Sequence, residues 1–198
     1  MAVFLVALGC SGLAVKLHKA RAQREAVAVF MNLGGDVSYH YQRVGIGGGP
    51  PVPAWALSLF GKDFFCTVDR VWIEDTQVED GDLCHLQSLT GLRELGLADT
   101  QISDAGLVHL EKLKRLRTLN LNGTRITDAG LARLRGLDGL KWLELAVTDI
   151  SDRGLVHLYD MDGLARLNLA YTRVTEEGLH QLKRNLPTTA VFSGRESP

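Results

Sequence analysis

From about residue 68 onward, apolar residues recur in a fixed order, first two positions apart and then three. In Leu92-Arg93-Glu94-Leu95-Gly96-Leu97, Leu95 and Leu97 alternate with polar or small residues, the period-2 signature of a short strand. Leu107, Leu110 and Leu113 then follow at every third position, which predicts a helix with one apolar face. The whole pattern repeats at an offset of 24, through Thr76, Thr100, Thr124, Thr148 and Thr172. Val78, Ile102, Ile126, Ile150 and Val174 form a second column, and Leu83, Leu107, Leu131, Leu155 and Leu179 a third. From Val68 to Pro187 this makes five units, each reading LxxLxLxxT and then xI[ST]DxGLxxLxxL. Of the 33 leucines, 26 lie from Leu83 onward, so the apolar content belongs to these units.

Polar columns fit between the apolar ones. Ser103, Thr127, Ser151 and Thr175 precede each predicted helix, where a hydroxyl caps the N-terminus. Asp104, Asp128, Asp152 and Glu176 follow at once, suited to the positive end of a helix dipole. Gly91, Gly139 and Gly163 stand before the next strand and predict a left-handed turn closing each helix, with Arg115 and Pro187 breaking that column.

One strand and one helix cannot bury their own leucines, so the units must stack and share a core. At about 4.8 Å per strand, five units make roughly 24 Å of sheet, a short arc. These motifs resemble the leucine-rich-repeat family, and the 24-residue I[ST]DxGL form is most similar to bacterial members and to the ribonuclease-inhibitor-like branch. The resemblance implies an α/β solenoid with a parallel concave sheet, convex helices and an N-terminal α+β cap. Thr100 and its equivalents stand where the common family pattern has Asn. That departure implies a threonine ladder bonding backbone groups between turns. Members of the family mainly bind other proteins, so the resemblance implies an unknown protein partner.

Outside the repeats the pattern changes. Asp36-Val37-Ser38-Tyr39-His40-Tyr41 alternates like a strand after Gly34-Gly35, and Arg21 to Leu33 reads as a helix. The run Gly45 to Pro51 lacks the Lys-Ser/Thr ending of a phosphate-binding loop and reads as a flexible loop. Trp55, Leu57, Leu59, Phe60, Phe64 and Phe65 supply apolar bulk for a cap over the first unit. Leu186 to Phe192 reads as a last edge strand, with Ser193 to Pro198 frayed. The division is 1–24 for an apolar segment with a basic flank, 25–67 for the cap, 68–187 for the repeats, and 188–198 for the edge strand and tail.

Charge sharpens the reading of the first segment. The chain carries 22 basic and 23 acidic residues, a formal net charge of -1. Met1 to Val15 holds no charge, and Lys16, Lys19, Arg21 and Arg24 follow with no acid among them. A single membrane anchor is the expected reading of this segment, ahead of a signal peptide without its basic n-region or a helix packed on the cap. For an anchor, the positive-inside rule places the repeats on the cytoplasmic side. Without one, the chain is soluble in the cytoplasm or exported.

Candidate chemistry is sparse. Cys10, Cys66 and Cys84 form neither a disulfide framework nor a CxxC pair. His85, His109 and His157 share a repeat column with Arg133 and Gln181, which reads as a surface position rather than a zinc site. There is no GxSxG, HExxH or GxGxxG in its proper context, so neither an enzyme nor a cofactor is expected. Mixed signs along the strands disfavour a nucleic-acid partner.

The concave columns are Arg70, Glu94, Thr118, Trp142 and Arg166, then Trp72, Gly96, Asn120, Glu144 and Asn168. A third is Glu74, Ala98, Asn122, Ala146 and Ala170, with Asp75, Asp99, Gly123, Val147 and Tyr171 at the strand ends. Aromatics and arginine are enriched at interface hot spots. The candidate protein-binding residues are therefore Trp142, Glu144, Arg166, Asn168, Tyr171 and Asn120, with Trp72 a separate anchor. The expected function is a non-catalytic protein-interaction scaffold. The alternative is a structural or self-associating component of a bacterial cell envelope.

Overall fold

The computed structural model describes residues 2–40, 52–74 and 76–194, with side chains described from residue 12 onward. The glycine run at 45–51, Tyr41, Asp75, Cys10 and the last four residues of the tail fall outside the described residues or side chains.

A single helix, α1 (Ala2–Asn32), runs through both the basic flank and the segment expected to be helical. Strand β1 (Asp36–Tyr39), helix α2 (Ala54–Phe60) and a 3₁₀ turn (Lys62–Phe64) complete the cap. The strands of the repeats are β2 (Val68–Trp72), β3 (Glu94–Gly96), β4 (Thr118–Asn120), β5 (Trp142–Glu144) and β6 (Arg166–Asn168), and β7 (Ala190–Phe192) follows them. All seven form one sheet in chain order. β1 is antiparallel to β2, and every later pairing is parallel. Arg70 pairs with Glu94, Glu94 with Thr118, Thr118 with Trp142, Trp142 with Arg166 and Arg166 with Ala190. The 24-residue offset of the sequence is thus the register of the sheet. The repeat leucines from Leu83 to Leu186 line one continuous core.

The convex side differs from expectation. The first two units carry 3₁₀ turns, Asp80–Ser88 and Gly106–Leu110, and the next two only short helices, α3 (Asp128–Leu134) and α4 (Asp152–Leu155). Leucine spacing does not set the choice, because Leu83, Leu86 and Leu89 recur every three residues in a 3₁₀ turn, and Leu131, Leu134 and Leu137 do the same in a unit that carries an α-helix. In the last unit the spacing becomes Leu179, Leu182 and Leu186, and there α5 (Glu176–Asn185) runs for 10 residues.

The threonines also do something other than expected. Thr100, Thr124, Thr148 and Thr172 each donate their hydroxyl to the carbonyl three residues earlier, at 2.6–2.7 Å, and so close their own turn. The side-chain bond that recurs between successive units comes from the aspartates instead. Asp80, Asp104, Asp128 and Asp152 accept the backbone N–H of Ser103, Thr127, Ser151 and Thr175 in the following unit at 2.7–2.8 Å. Their second carboxylate oxygens accept the hydroxyls of the same residues at 2.5–2.6 Å. Each hydroxyl also caps its own turn by accepting a backbone N–H, as expected. Glycine at 106, 130, 154 and 178 makes room for this, because a Cβ there would strike Oδ1 of Asp80, Asp104, Asp128 and Asp152 respectively.

Two further expectations are corrected. Gly91, Gly139 and Gly163 do not adopt positive φ. They allow close approach instead: a Cβ would lie 3.0 Å from Thr67 at Gly91 and 3.2 Å from the Leu116 carbonyl at Gly139. Nor do the six residues expected to fill the cap form its core, since Trp55, Leu59 and Phe65 are exposed and Leu57, Phe60 and Phe64 only half-buried. The first unit is covered by Ala26, Phe30 and Tyr39, with Leu33 and Val37 packed alongside. Buried Asp63 ties the cap together, accepting from the Tyr39 hydroxyl at 2.6 Å, Gln23 Nε2 at 3.2 Å and Arg24 Nε at 3.3 Å.

The interlock makes a thermodynamic prediction about Asp152 and Gly178. The three atoms nearest to a Cβ at Gly178 all belong to the Asp152 carboxylate. Gly178→Ala should therefore destabilise the intact chain by about 1–3 kcal/mol, although alanine is otherwise the better helix residue. In the Asp152→Ala background the same change should be neutral or stabilising by up to about 1 kcal/mol. Urea unfolding of the four variants reads out this reversal of sign, and additive effects would refute it.

Candidate functional site on the concave face

Because successive strand residues face opposite sides, the register places residues 70, 94, 118, 142 and 166 in one row across the concave surface. Trp142 is 47% exposed there. The Arg166 guanidinium lies 5.7 Å from the Trp142 ring centroid and 5.2 Å from that of Phe192. The cation is held between two rings contributed by the strands on either side of β6. Among the described residues Arg166 forms no salt bridge, so the rings orient its charge and no acid neutralises it. Such exposed cation–π contacts are worth about 0.5–1 kcal/mol, enough to bias a rotamer.

A second cationic group adjoins the first. Arg93, Arg117 and Lys141 occupy the position just before β3, β4 and β5, and with Glu94, Thr118 and Trp142 they line a depression of about 250 Å³. Arg93 is engaged by Asp69 at 3.5 Å, and Glu94 by Arg70 at 2.7 Å. Arg117 and Lys141 form no salt bridge among the described residues. The depression thus keeps two uncommitted positive charges beside the Trp142 ring.

The remaining candidates are distributed differently. Glu144 accepts from Asn168 Nδ2 at 2.7 Å, and Asn168 Oδ1 accepts the Ala170 N–H at 3.0 Å. Asn120 donates to Glu74 at 2.7 Å and accepts the Asn122 N–H at 3.1 Å. These three polar residues bind their neighbours and stiffen the face. Tyr171 stands on the turn after β6, 79% exposed, with φ 57. Trp72 lies over Gly96, where an added Cβ would collide with the indole ring, and its buried indole N–H has no partner among the described residues. The structure therefore gathers Trp142 and Arg166 into one cluster and leaves Trp72 apart.

Sequence reasoning missed Phe192 and the Arg117–Lys141 pair. Phe192 could have been found from its offset of 24 from Asn168, while Arg117 and Lys141 fall one place before the columns expected to face the groove.

Elsewhere the chemistry is structural. His109 Nδ1 shares a hydrogen bond with Gln87 at 2.9 Å, and His85 meets Phe30 edge-on at 6.4 Å. Among the described residues no group of three or more metal-ligating side chains converges. Burial pushes the Cys66 thiol above its usual range, with the charge of Asp63 adding to the effect. It is a buried core thiol, whereas Cys84 is exposed.

A family model described as leucine-rich repeats (two copies) matches residues 90–133. The chain is a leucine-rich-repeat protein. Among solved structures it is similar to the leucine-rich-repeat ectodomain of the receptor kinase SOBIR1 from Arabidopsis thaliana, at 17% identity and a TM-score of 0.54, covering 88% of this chain and 93% of that one. It is also similar to a leucine-rich-repeat protein of Leptospira interrogans, at 19% identity and a TM-score of 0.40, covering 55% of this chain and 33% of that one. No curated protein matches the sequence. At these identities the likeness to the solved structures concerns the fold, and the site rests on the geometry above.

The two tryptophans of this leucine-rich-repeat face should behave differently. Trp142→Ala removes an exposed ring and should cost less than about 1 kcal/mol. Gly96→Ala displaces the Trp72 indole and should cost about 1–3 kcal/mol. Chemical denaturation ranks the two, and the reverse order would show that Trp72 is the loosely held ring.

Proposed function

We propose that this leucine-rich-repeat protein is a non-catalytic interaction module that takes a protein partner on its concave face, around Trp142, Arg166 and Phe192. The observation that carries the reading is Arg166, held between two aromatic rings with no acidic partner. Trp and Arg contribute disproportionately to binding energy because one side chain offers a large apolar area together with directed polar contacts. The sheet beneath is rigidly registered, so little ordering entropy is lost when the partner docks. Arg117 and Lys141 favour a partner segment that brings a carboxylate to the depression beside Trp142.

Affinity capture with the full chain should retain a partner on wild type and on the convex-side variant Arg133→Ala, and lose at least tenfold of it on Trp142→Ala with Arg166→Ala. Equal capture by all three would remove this face as the site.

A second reading, self-association within a cell envelope, is favoured by one feature. β7 ends the sheet with Ala190 and Phe192 exposed and an open edge, which a second copy could extend. Light scattering at increasing concentration should then show a dimer that Val191→Pro dissociates. A constant monomer mass would dispose of this alternative.

A further inference from the structure

The N-terminal third of the molecule has an exposed surface that the concave-face reading does not use. α1 docks on the cap only from Ala20, through buried Ala20, Gln23, Ala26 and Phe30. Before that point every described side chain, from Gly12 to Lys19, is exposed. Leu13, Val15 and Leu17 are 43%, 55% and 41% exposed, and the chain N-terminal to them carries no charge. Exposed apolar side chains interleaved with lysines on one helix suit the boundary between water and an apolar medium better than water alone.

Two neighbouring features point the same way. On α2, Trp55 and Leu59 are one turn apart on one face and are the most exposed large apolar residues of the cap. Leu59 and Phe60 line a groove of about 920 Å³ together with Leu17, Arg21, Arg24 and Lys62. Leu13 is one turn from Leu17, so the apolar stripe of α1 runs into the groove beside α2. Around it stand Lys16, Lys19, Arg21 and Lys62, none in a salt bridge among the described residues. Arg24 is held by Asp63, and the nearest acids in sequence are Glu25 and buried Asp63 itself. Lys16 lies 5.9 Å from the Phe64 ring, with its charge at the rim of this surface.

We propose that the uncovered turns of α1 and the Trp55–Leu59 edge of α2 form a seat for an anionic membrane surface. Leu13, Val15, Leu17, Trp55 and Leu59 enter the boundary between headgroups and acyl chains, and Lys16, Lys19, Arg21 and Lys62 meet lipid phosphates. This is the arrangement of an interfacial anchor, with a Trp at headgroup depth and cations around an apolar stripe. It does not require a span, and among the described residues no helix is long and apolar enough to cross a membrane. The seat adjoins β1 and β2, while the Trp142–Arg166 cluster lies at the far end of the sheet, about 20 Å away at 4.8 Å per strand. A membrane bound at one end would leave the concave face clear.

The test is co-sedimentation of the full-length chain with vesicles of phosphatidylcholine alone, or containing one-third phosphatidylglycerol. Binding should be roughly tenfold stronger to the anionic vesicles and fall steeply between 0.1 and 0.5 M salt. Trp55→Ser with Leu59→Ser should weaken it several-fold with unchanged circular dichroism. Lys16→Glu, Lys19→Glu and Arg21→Glu together should abolish the preference for anionic lipid. No binding, equal binding to both vesicles, or indifference to both sets of substitutions overturns the proposal. So does a vesicle-free dimer that the Trp55/Leu59 variant dissociates without any lipid binding, because a second copy would then be what covers this surface.

Discussion

The carboxylate that reaches from each turn into the next is the constraint on which the rest of the structure depends. Each of Asp80, Asp104, Asp128 and Asp152 spends both oxygens on the following unit, accepting one backbone N–H and one hydroxyl. Charge-assisted bonds of this length are the stronger kind, and two of them from one group fix orientation as well as distance. The geometry then dictates the column beside it, because only glycine leaves room for the carboxylate at 106, 130, 154 and 178. Three columns of the repeat are therefore one device. Where the device has no partner the sequence changes: Glu79 and Asp82 occupy the hydroxyl and glycine columns in the first unit, and Glu176 the aspartate column in the last.

This explains why the period was so legible. A 24-residue offset with apolar positions two and then three apart permits little other than stacked units with paired strands, and the sheet register follows directly. What resisted reading was the role of polar residues whose partners lie in another turn. Asp104 looks the same in sequence whether it serves its own helix dipole or the Thr127 hydroxyl of the next unit, because 23 residues separate the two. The glycines at 91, 139 and 163 show the same ambiguity, since close approach and positive φ both favour glycine and only the three-dimensional neighbours tell them apart. The choice between 3₁₀ turn and α-helix was hidden too, because Leu83, Leu86 and Leu89 share their spacing and burial with Leu131, Leu134 and Leu137, and only the second set belongs to a unit with an α-helix.

The cap and the site were less legible for a related reason. Aromatic residues near a first repeat suggest a core, yet Trp55 and Leu59 face outward while the smaller Ala26 and the distant Phe30 cover the first unit. Composition alone does not reveal which side of a short helix faces inward. On the concave face the columns correctly placed Trp142 beside Arg166, because adjacent strands in register must set equivalent residues side by side. They could not distinguish residues that bond to their neighbours on the face from those without an ionic partner among the described residues. Glu144, Asn168 and Asn120 belong to the first group, and Arg166, Arg117 and Lys141 to the second.

The turns after the strands carry the argument one step further. Asp99, Gly123, Val147 and Tyr171 occupy one column, and all four adopt positive φ, between 54 and 65. The repeat imposes this conformation on whatever residue stands there, since the backbone on either side is tied to the next unit, as in the bond from the Val147 N–H to the Ala170 carbonyl. Glycine accepts it freely and aspartate readily, but a β-branched residue there costs about 1–2 kcal/mol. Stability alone would place glycine at both 147 and 171. Yet these positions carry Val and Tyr, 60% and 79% exposed, so packing among the described residues offsets little of the strain. An exposed apolar side chain held at a conformational cost makes sense when something outside the chain packs against it. Both residues lie in the two units that also supply Trp142 and Arg166, so the strained turns and the proposed binding cluster fall at the same end of the sheet.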